Sequence, residues 1–373
     1  MIKPERVAQS AWPRFGGDAA NRSNAGVPGP HGGVTLQEYC LPRSIAAAAQ
    51  RFGMSGVVVA ADGSLRVCHA GVLSAWGPDV SPKWEVDLAA YRKLARPALP
   101  FGASLPTVLA DGSTLIQLRG GVLRVSVDGG GVEAFALDAS LDDSGMSPNV
   151  TQDGYPLVPS VTGELYILRD GLWATVGDRG YGFDILCPAL YADGSLAVAG
   201  YYGTGFCRVE LDGRIRWQTD LREADRLPTI NRAQVAAVGS LNDKVSVFFA
   251  PDGSRLGRYP RAAVFAAYGD EWIALSASRV ARVTTLGEEL WAREVSVHRL
   301  LAGVMQPVVD VDGYIYIRHD AGVLCCAPDG ATVFELALPA TLPDPVSIIA
   351  PGVLAVIHGD MLLVGVAGRA AWC

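Results

Sequence analysis

The sequence predicts an all-β fold: an eight-bladed β-propeller of four-stranded antiparallel blades, its ring closed by N- and C-terminal strands. A repeating unit carries the prediction. Asp-Gly, an alternating apolar strand, a turn, a second strand and an aromatic residue recur as DGSLRVCHAGVLSAW from Asp62, DGSLAVAGYYGTGFCRVELDGRIRW from Asp193 and DGYIYIRHDAGVLCCAPDGATVF from Asp312. The apolar period within each unit is two, as half-buried antiparallel strands require, and the glycines suit tight hairpin turns. The closing aromatics are Trp84, Phe135, Trp173, Trp217, Tyr259, Trp291, Phe334 and Trp372, with gaps of 51, 38, 44, 42, 32, 43 and 38 residues, about 41 on average. Eight markers at that period make eight blades, and a weak marker at Tyr259 leaves seven open. Composition agrees. Gly 43 and Pro 23 are spread through 373 residues, which favours many short turns, and 50% hydrophobic against 18% charged residues excludes bulk disorder.

The elements follow in chain order within a single propeller domain, residues 1–373, of which 1–45 form an N-terminal arm and closing strand and 46–373 the blades. The opening MIKPERVAQSAWPRFGGD has no apolar core segment, so no secretory leader is expected. Residues 23–33 (SNAGVPGPHGG) read as a Pro/Gly-rich arm, and Val34–Leu41 as a strand that returns to close the ring beside the C-terminal strands, removing an exposed edge. The 51-residue gap after Trp84 has a cause in Asp87–Arg96, whose Leu88, Tyr91 and Leu94–Ala95 stripe predicts a short helix between blades 1 and 2. The longest apolar stretch, Val346 to Val366, contains His358 and Asp360 and is broken by Pro351-Gly352, so it does not read as a membrane span. Seven cysteines without a CxxC pair point to reduced thiols and a cytoplasmic setting. A net charge of −7 argues against nucleic acid and anionic membrane as partners.

Residues 210–217 (ELDGRIRW), 286–291 (LGEELW) and 10–18 (SAWPRFGGD) resemble the quinoprotein-like (PQQ-type repeat) eight-bladed propeller family, whose blades end in an acidic-Gly turn and an outer-strand Trp. The resemblance covers nearly the whole chain and implies blades, not chemistry. Quinoprotein dehydrogenases of this shape are exported, longer, and hold their quinone in a top-face funnel beside a metal. The outer-membrane assembly lipoprotein of this shape needs a leader and a lipidated cysteine. No lipobox precedes Cys40, and the TGK element of dehydrogenase repeats is missing, so neither branch is expected and no cofactor is assigned. Cys325-Cys326 resembles the vicinal disulfide of some quinoprotein dehydrogenases but lies inside a repeat strand, where neighbours point to opposite faces.

Aligning the units places His69, Ser160, Gly200, His319 and His358 at the end of the second strand, with Ser240 and Ser276 at similar places and Arg119 one residue further on. The three histidines fall in blades 1, 7 and 8, neighbours once the ring closes. Imidazole titrates near neutrality and binds metal, so a cluster of them could be a ligand or acid–base site, and they read either as structural turn residues, as the lining of a substrate or peptide surface, or as metal ligands. Three-fold metal binding would need them to converge, and no metal site is assigned. Asp320, Asp360, Arg169 and the pair Tyr201-Tyr202 are expected on the same face. The loops before the innermost strands are expected to build the axial entrance from Phe101-Gly102, Ser144-Gly145-Met146, Phe183-Asp184, Asn231-Arg232 and Met305-Gln306, with Asp184 and Arg232 as charge partners for a ligand. Asp310-Val-Asp312-Gly is too short for a calcium loop, and Gly200–Gly205 precedes a strand rather than a helix.

Two functions are carried forward. The first is a propeller that binds a small molecule, peptide or protein on its top-face funnel, as a monomer or weak homo-oligomer. The alternative is a cofactor-independent lyase, isomerase, cyclase or hydrolase with His69, His319 and His358 as acid and base. A PQQ-dependent dehydrogenase comes third.

Overall fold

The computed structural model describes residues 9–10, 13–14, 16–44, 55–94, 104–139, 147–160, 162–177, 181, 187–200, 205–221, 223–297, 305–338 and 344–368. Eight four-stranded antiparallel sheets form the blades: 56–87, 107–136, 149–175, 189–218, 229–259, 264–294 and 308–337 are blades 1 to 7. Blade 8 takes three strands from 347–367 and its outermost from Val34–Cys40, which pairs over its whole length from Val34↔Ala367 to Cys40↔Met361. Ring closure by both ends of the chain is thus as expected. The expected eighth marker, Trp372, lies outside the described residues, and the N-terminal strand supplies the outer edge of that blade. Tyr259 ends the outermost strand of blade 5, so there are eight blades and not seven. The insertion after blade 1 is a 3-10 helix over Leu88–Leu94 kinked at Tyr91, tighter and less regular than the helical stripe implied.

Inner and middle strands are buried, while outermost strands alternate in and out, as in Val132–Ala136 and Thr332–Ala337. Apolar side chains fill the gaps between adjacent sheets. At the closing seam Val57, Val67 and Trp76 of blade 1 pack in one core with Ile348, Val356 and Val364 of blade 8. Because strands alternate in direction, each blade presents its second-to-third turn and its exit to the next blade on one face, here called upper. The first-to-second and third-to-fourth turns lie on the lower face.

Innermost strands of a propeller leave an unpaired edge toward the axis. The N-terminal segment meets that edge by running once around the inside of the ring. Ser10 Oγ donates to Val59 O of blade 1 (2.5 Å). The amides of Val108, Leu190, Ile230, Ala267, Val309 and Gly352 then donate to the carbonyls of Pro13, Ala19, Ala20, Arg22, Ser23 and Pro28 at 2.8–3.0 Å. In blade 3 the Asn149 side chain donates to Ala19 O (2.9 Å). These amides so find acceptors in the belt. Arg14, Asn21 and Ser23 are buried in this belt, and Asn21 Nδ2 bridges Cys187 O and Pro228 O. The belt lies toward the lower end. Gly29 N, His31 Nε2 and Tyr316 Oη all donate to Asp310 Oδ2 in the lower turn of blade 7, at 2.7–3.1 Å.

Candidate functional site

Tight turns carry the upper-face histidines. His69 ends the strand Leu65–His69 and is followed by Ala70 and Gly71, both at positive φ (45° and 78°), the geometry of a two-residue hairpin turn. His319 and His358 likewise end their strands, Ile315–His319 and Val353–His358, so all three stand where the unit alignment puts them, in blades 1, 7 and 8. Asp320 and Asp360 share their turns. Continuing each ladder by one to three residues sets a different partner across from each ring: Ser55 opposite His69, Met305 opposite His319 and Asp344 opposite His358.

Between blades 8 and 1 these residues form a connected polar group. Asp344 Oδ1 accepts from Ser55 N (3.0 Å), and Ser55 Oγ meets His69 Nδ1 at 2.9 Å. His69 Nε2 lies 3.1 Å from Asp360 Oδ1, and Arg43 Nη1 donates to Asp360 Oδ2 at 2.8 Å. Backbone bonds hold the crossing segment in place, from Leu41 N to Asp360 O (2.9 Å) and from Ser44 N to Ala70 O (3.2 Å). On the blade 7 side, Arg318 is buried. Its Nη1 donates to the carbonyls of His319 (2.8 Å) and Gly322 (2.7 Å), while Nε and Nη2 have no acceptor among the described residues. His319 is turned within its own blade, 3.5 Å from Glu335 Oε1.

Burial dominates the electrostatics here. It pushes the Asp344 carboxyl up to about 7, against the lowering pull of the Ser55 amide and the Arg318 charge. It also pushes the His319 imidazole down, which favours the neutral ring. Among the described residues no three metal-capable side chains come together, so the histidines share a face without converging on one point. Sequence reasoning missed Ser55, Arg43, Asp344 and Arg318. Only Arg318 left a signal, as the cation immediately before a turn histidine.

Two placements differ from expectation. Asn231-Arg232 follows the innermost strand Thr229–Ile230 and forms the lower turn of blade 5, so it does not line the axial entrance. Asn231 Oδ1 accepts from Val235 N (2.9 Å) and its Nδ2 donates to Asp270 O (2.9 Å), so the residue does the work of Asp310 in blade 7, whose Oδ1 accepts from Tyr314 N (2.9 Å). Arg169 ends the third strand of blade 3 and faces the lower side, 5.8 Å from the Tyr155 ring. Met305 and Gln306 do precede an innermost strand, but both are buried. The Gln306 amide donates to Asn21 O (2.8 Å), Thr229 Oγ1 (2.9 Å) and Phe265 O (2.6 Å), tying the belt to the ring. Phe183, Asp184, Tyr201 and Tyr202, like Phe101-Gly102 and Ser144–Met146, lie outside the described residues. Cys325 and Cys326 are free thiols buried in the third strand of blade 7, packed in separate cores. They do not supply a vicinal disulfide.

No family model matches the sequence, and no curated protein matches it significantly. Solved structures do match in fold. BamB from Moraxella catarrhalis aligns over 89% of this chain and 99% of its own at 15% identity, with a TM-score of 0.61. The quinohemoprotein alcohol dehydrogenase ADHIIG from Pseudomonas putida HK5 aligns over 100% of this chain and 84% of its own at 11% identity and a TM-score of 0.72. Virginiamycin B lyase from Staphylococcus aureus aligns over 90% and 100% at 12% identity and a TM-score of 0.51. At such identities the likeness speaks to fold alone. The fold is an eight-bladed β-propeller of four-stranded blades, the architecture over which these structures align.

Proposed function

We propose that this protein is a binding propeller that holds a small molecule or peptide bearing carbonyl or carboxylate oxygens on its upper face, over the seam of blades 7, 8 and 1. The observation that carries this reading is Arg318, a buried guanidinium with two donor nitrogens that have no acceptor among the described residues. Such donors are costly to bury unfilled, and a ligand oxygen would satisfy them with a charge-assisted bond. A cytoplasmic setting belongs to this reading. The enzyme alternative is favoured by one observation, the contact chain from Ser55 through His69 to Asp360.

A thermal-shift screen of small carboxylates and peptides with free carboxyl termini tests the reading. Wild type, Arg318→Gln and Gln152→Ala, whose site is the lower first-to-second turn of blade 3 between Asn149–Val150 and Pro156–Pro159, are melted side by side. At least one compound should raise the melting temperature of wild type and Gln152→Ala but not of Arg318→Gln. A stabilising compound that acts equally on Arg318→Gln, or a panel that stabilises nothing, would overturn it.

A further inference from the structure

We propose that Ser55, His69 and Asp360 form a nucleophile, base and orienting group that hydrolyse carboxylic esters on the upper face. The proposal rests on the reading of that face as the binding face. The proton positions follow from hydrogen-bond chemistry. Asp360 is ion-paired to Arg43 at 2.8 Å, and a carboxylate in that state only accepts. The proton on His69 therefore sits on Nε2, toward Asp360 at 3.1 Å. Nδ1 is left as an acceptor, and Ser55 Oγ–H donates to it at 2.9 Å. A hydroxyl on an imidazole whose second nitrogen is held by a carboxylate is the arrangement that activates a serine.

Three further points separate this group from an ordinary turn network. Its members come from three segments: the crossing into blade 1, the second strand of blade 1 and a turn of blade 8. Of the three turn histidines only His69 has a hydroxyl across its ladder, since Met305 and Asp344 stand opposite the others. The chain also ends near solvent, with Asp360 40% and His69 10% exposed at the side chain, and Ser55 half-buried.

The step balances with water as the only co-reactant. Ser55 Oγ forms a bond to the ester carbonyl carbon as its proton passes to His69 Nδ1. The tetrahedral adduct collapses, and the alkoxide departs with that proton as the alcohol. Water then adds to the acyl-Ser55 carbon and gives a proton to Nδ1. Collapse breaks the Oγ–acyl bond, the proton returns to Oγ, and the carboxylic acid leaves. Esters rather than amides are assigned because the Ser55 amide is occupied by Asp344 and so does not serve a developing oxyanion. An alkoxide leaves more readily than an amine under that modest support.

The experiment combines fluorophosphonate labelling, with the labelled peptide located by mass spectrometry, and hydrolysis of p-nitrophenyl acetate. The label should fall on Ser55 of the wild-type protein, and turnover should saturate. Ser55→Ala should lose both, and His69→Gln should lose roughly 100-fold or more in kcat/KM, with the rate on wild type rising through the neutral pH range. Wild type left unlabelled at Ser55, or labelled there without turnover, overturns the proposal whatever the variants do. Carboxylate stabilisation that depends on Arg318 yet survives Ser55→Ala would then show that the binding face stands and only the chemistry fails.

Discussion

At the seam of blades 8 and 1, burial raises the Asp344 carboxyl from the ordinary 3.8 to about 7. Between those values the folded protein keeps a proton that the unfolded chain has already given up. Stability from this group is present at low pH and is lost as pH rises through that window. His319 has the opposite sign. Its folded value lies below 6.5, so its contribution is present above that pH and is lost as pH falls. Asp344→Asn keeps an oxygen for the Ser55 amide and removes the titration. Its urea midpoints at pH values from about 4 to 7 should therefore fall less with rising pH than those of wild type, while the His319 slope is common to both. Parallel profiles would mean that Asp344 is solvated in the folded state. The residue left no mark in the sequence beyond lying between Pro343 and Pro345, because its burial is made by segments hundreds of positions away. The histidines were legible because the repeat itself exposes its odd members.

The recurring Trp and the Asp-Gly of the third-to-fourth turns are two halves of one contact between neighbouring blades. Trp84, Trp217 and Trp291 lie over Gly129, Gly253 and Gly330 in the next blade's third-to-fourth turn, where a Cβ on the glycine would come within 2.6, 2.6 and 2.7 Å of the indole. Their Nε1 atoms donate to Val127 O, Pro251 O and Pro328 O in the same turns, at 2.9–3.0 Å. Trp173 departs from the pattern and donates back to Ala136 O of the preceding blade (2.8 Å). Gly330 also needs φ +85°, whereas Gly359 has a similar positive φ with nothing within 4 Å. Gly330→Ala should thus cost about 2 kcal/mol more than Gly359→Ala in urea denaturation, the difference isolating the indole contact. Equal losses would show that backbone conformation alone holds these glycines. This pairing is why blade spacing could be read from sequence. The first-to-second turn of blade 5 was misplaced because Ala233 and Gln234 stand where other units have Asp-Gly, with Gln234 taking the positive φ (62°).

At the scale of the ring, one segment makes a circuit. The chain lays its first described residues along the inner edges of blades 1 to 8, leaves as the outermost strand of blade 8, and crosses into blade 1 beside Arg43 and Ser55. The seam that closes the fold is therefore also where the polar group of the upper face is assembled, from parts that no single repeat contains. The closing strand was legible because its apolar alternation resembles the others. The belt was not, since its contacts are backbone amides, which any residue supplies. Residues 23–33 showed only as a Pro/Gly-rich arm. On the upper face beside that seam, two donors of the buried Arg318 have no acceptor among the described residues. Native against denaturing mass spectrometry of wild type and Arg318→Gln, purified in parallel, tests that most directly. Wild type should carry a discrete extra mass that denaturation removes and that Arg318→Gln lacks. The same extra mass on both proteins, or on neither, would contradict ligand binding at Arg318.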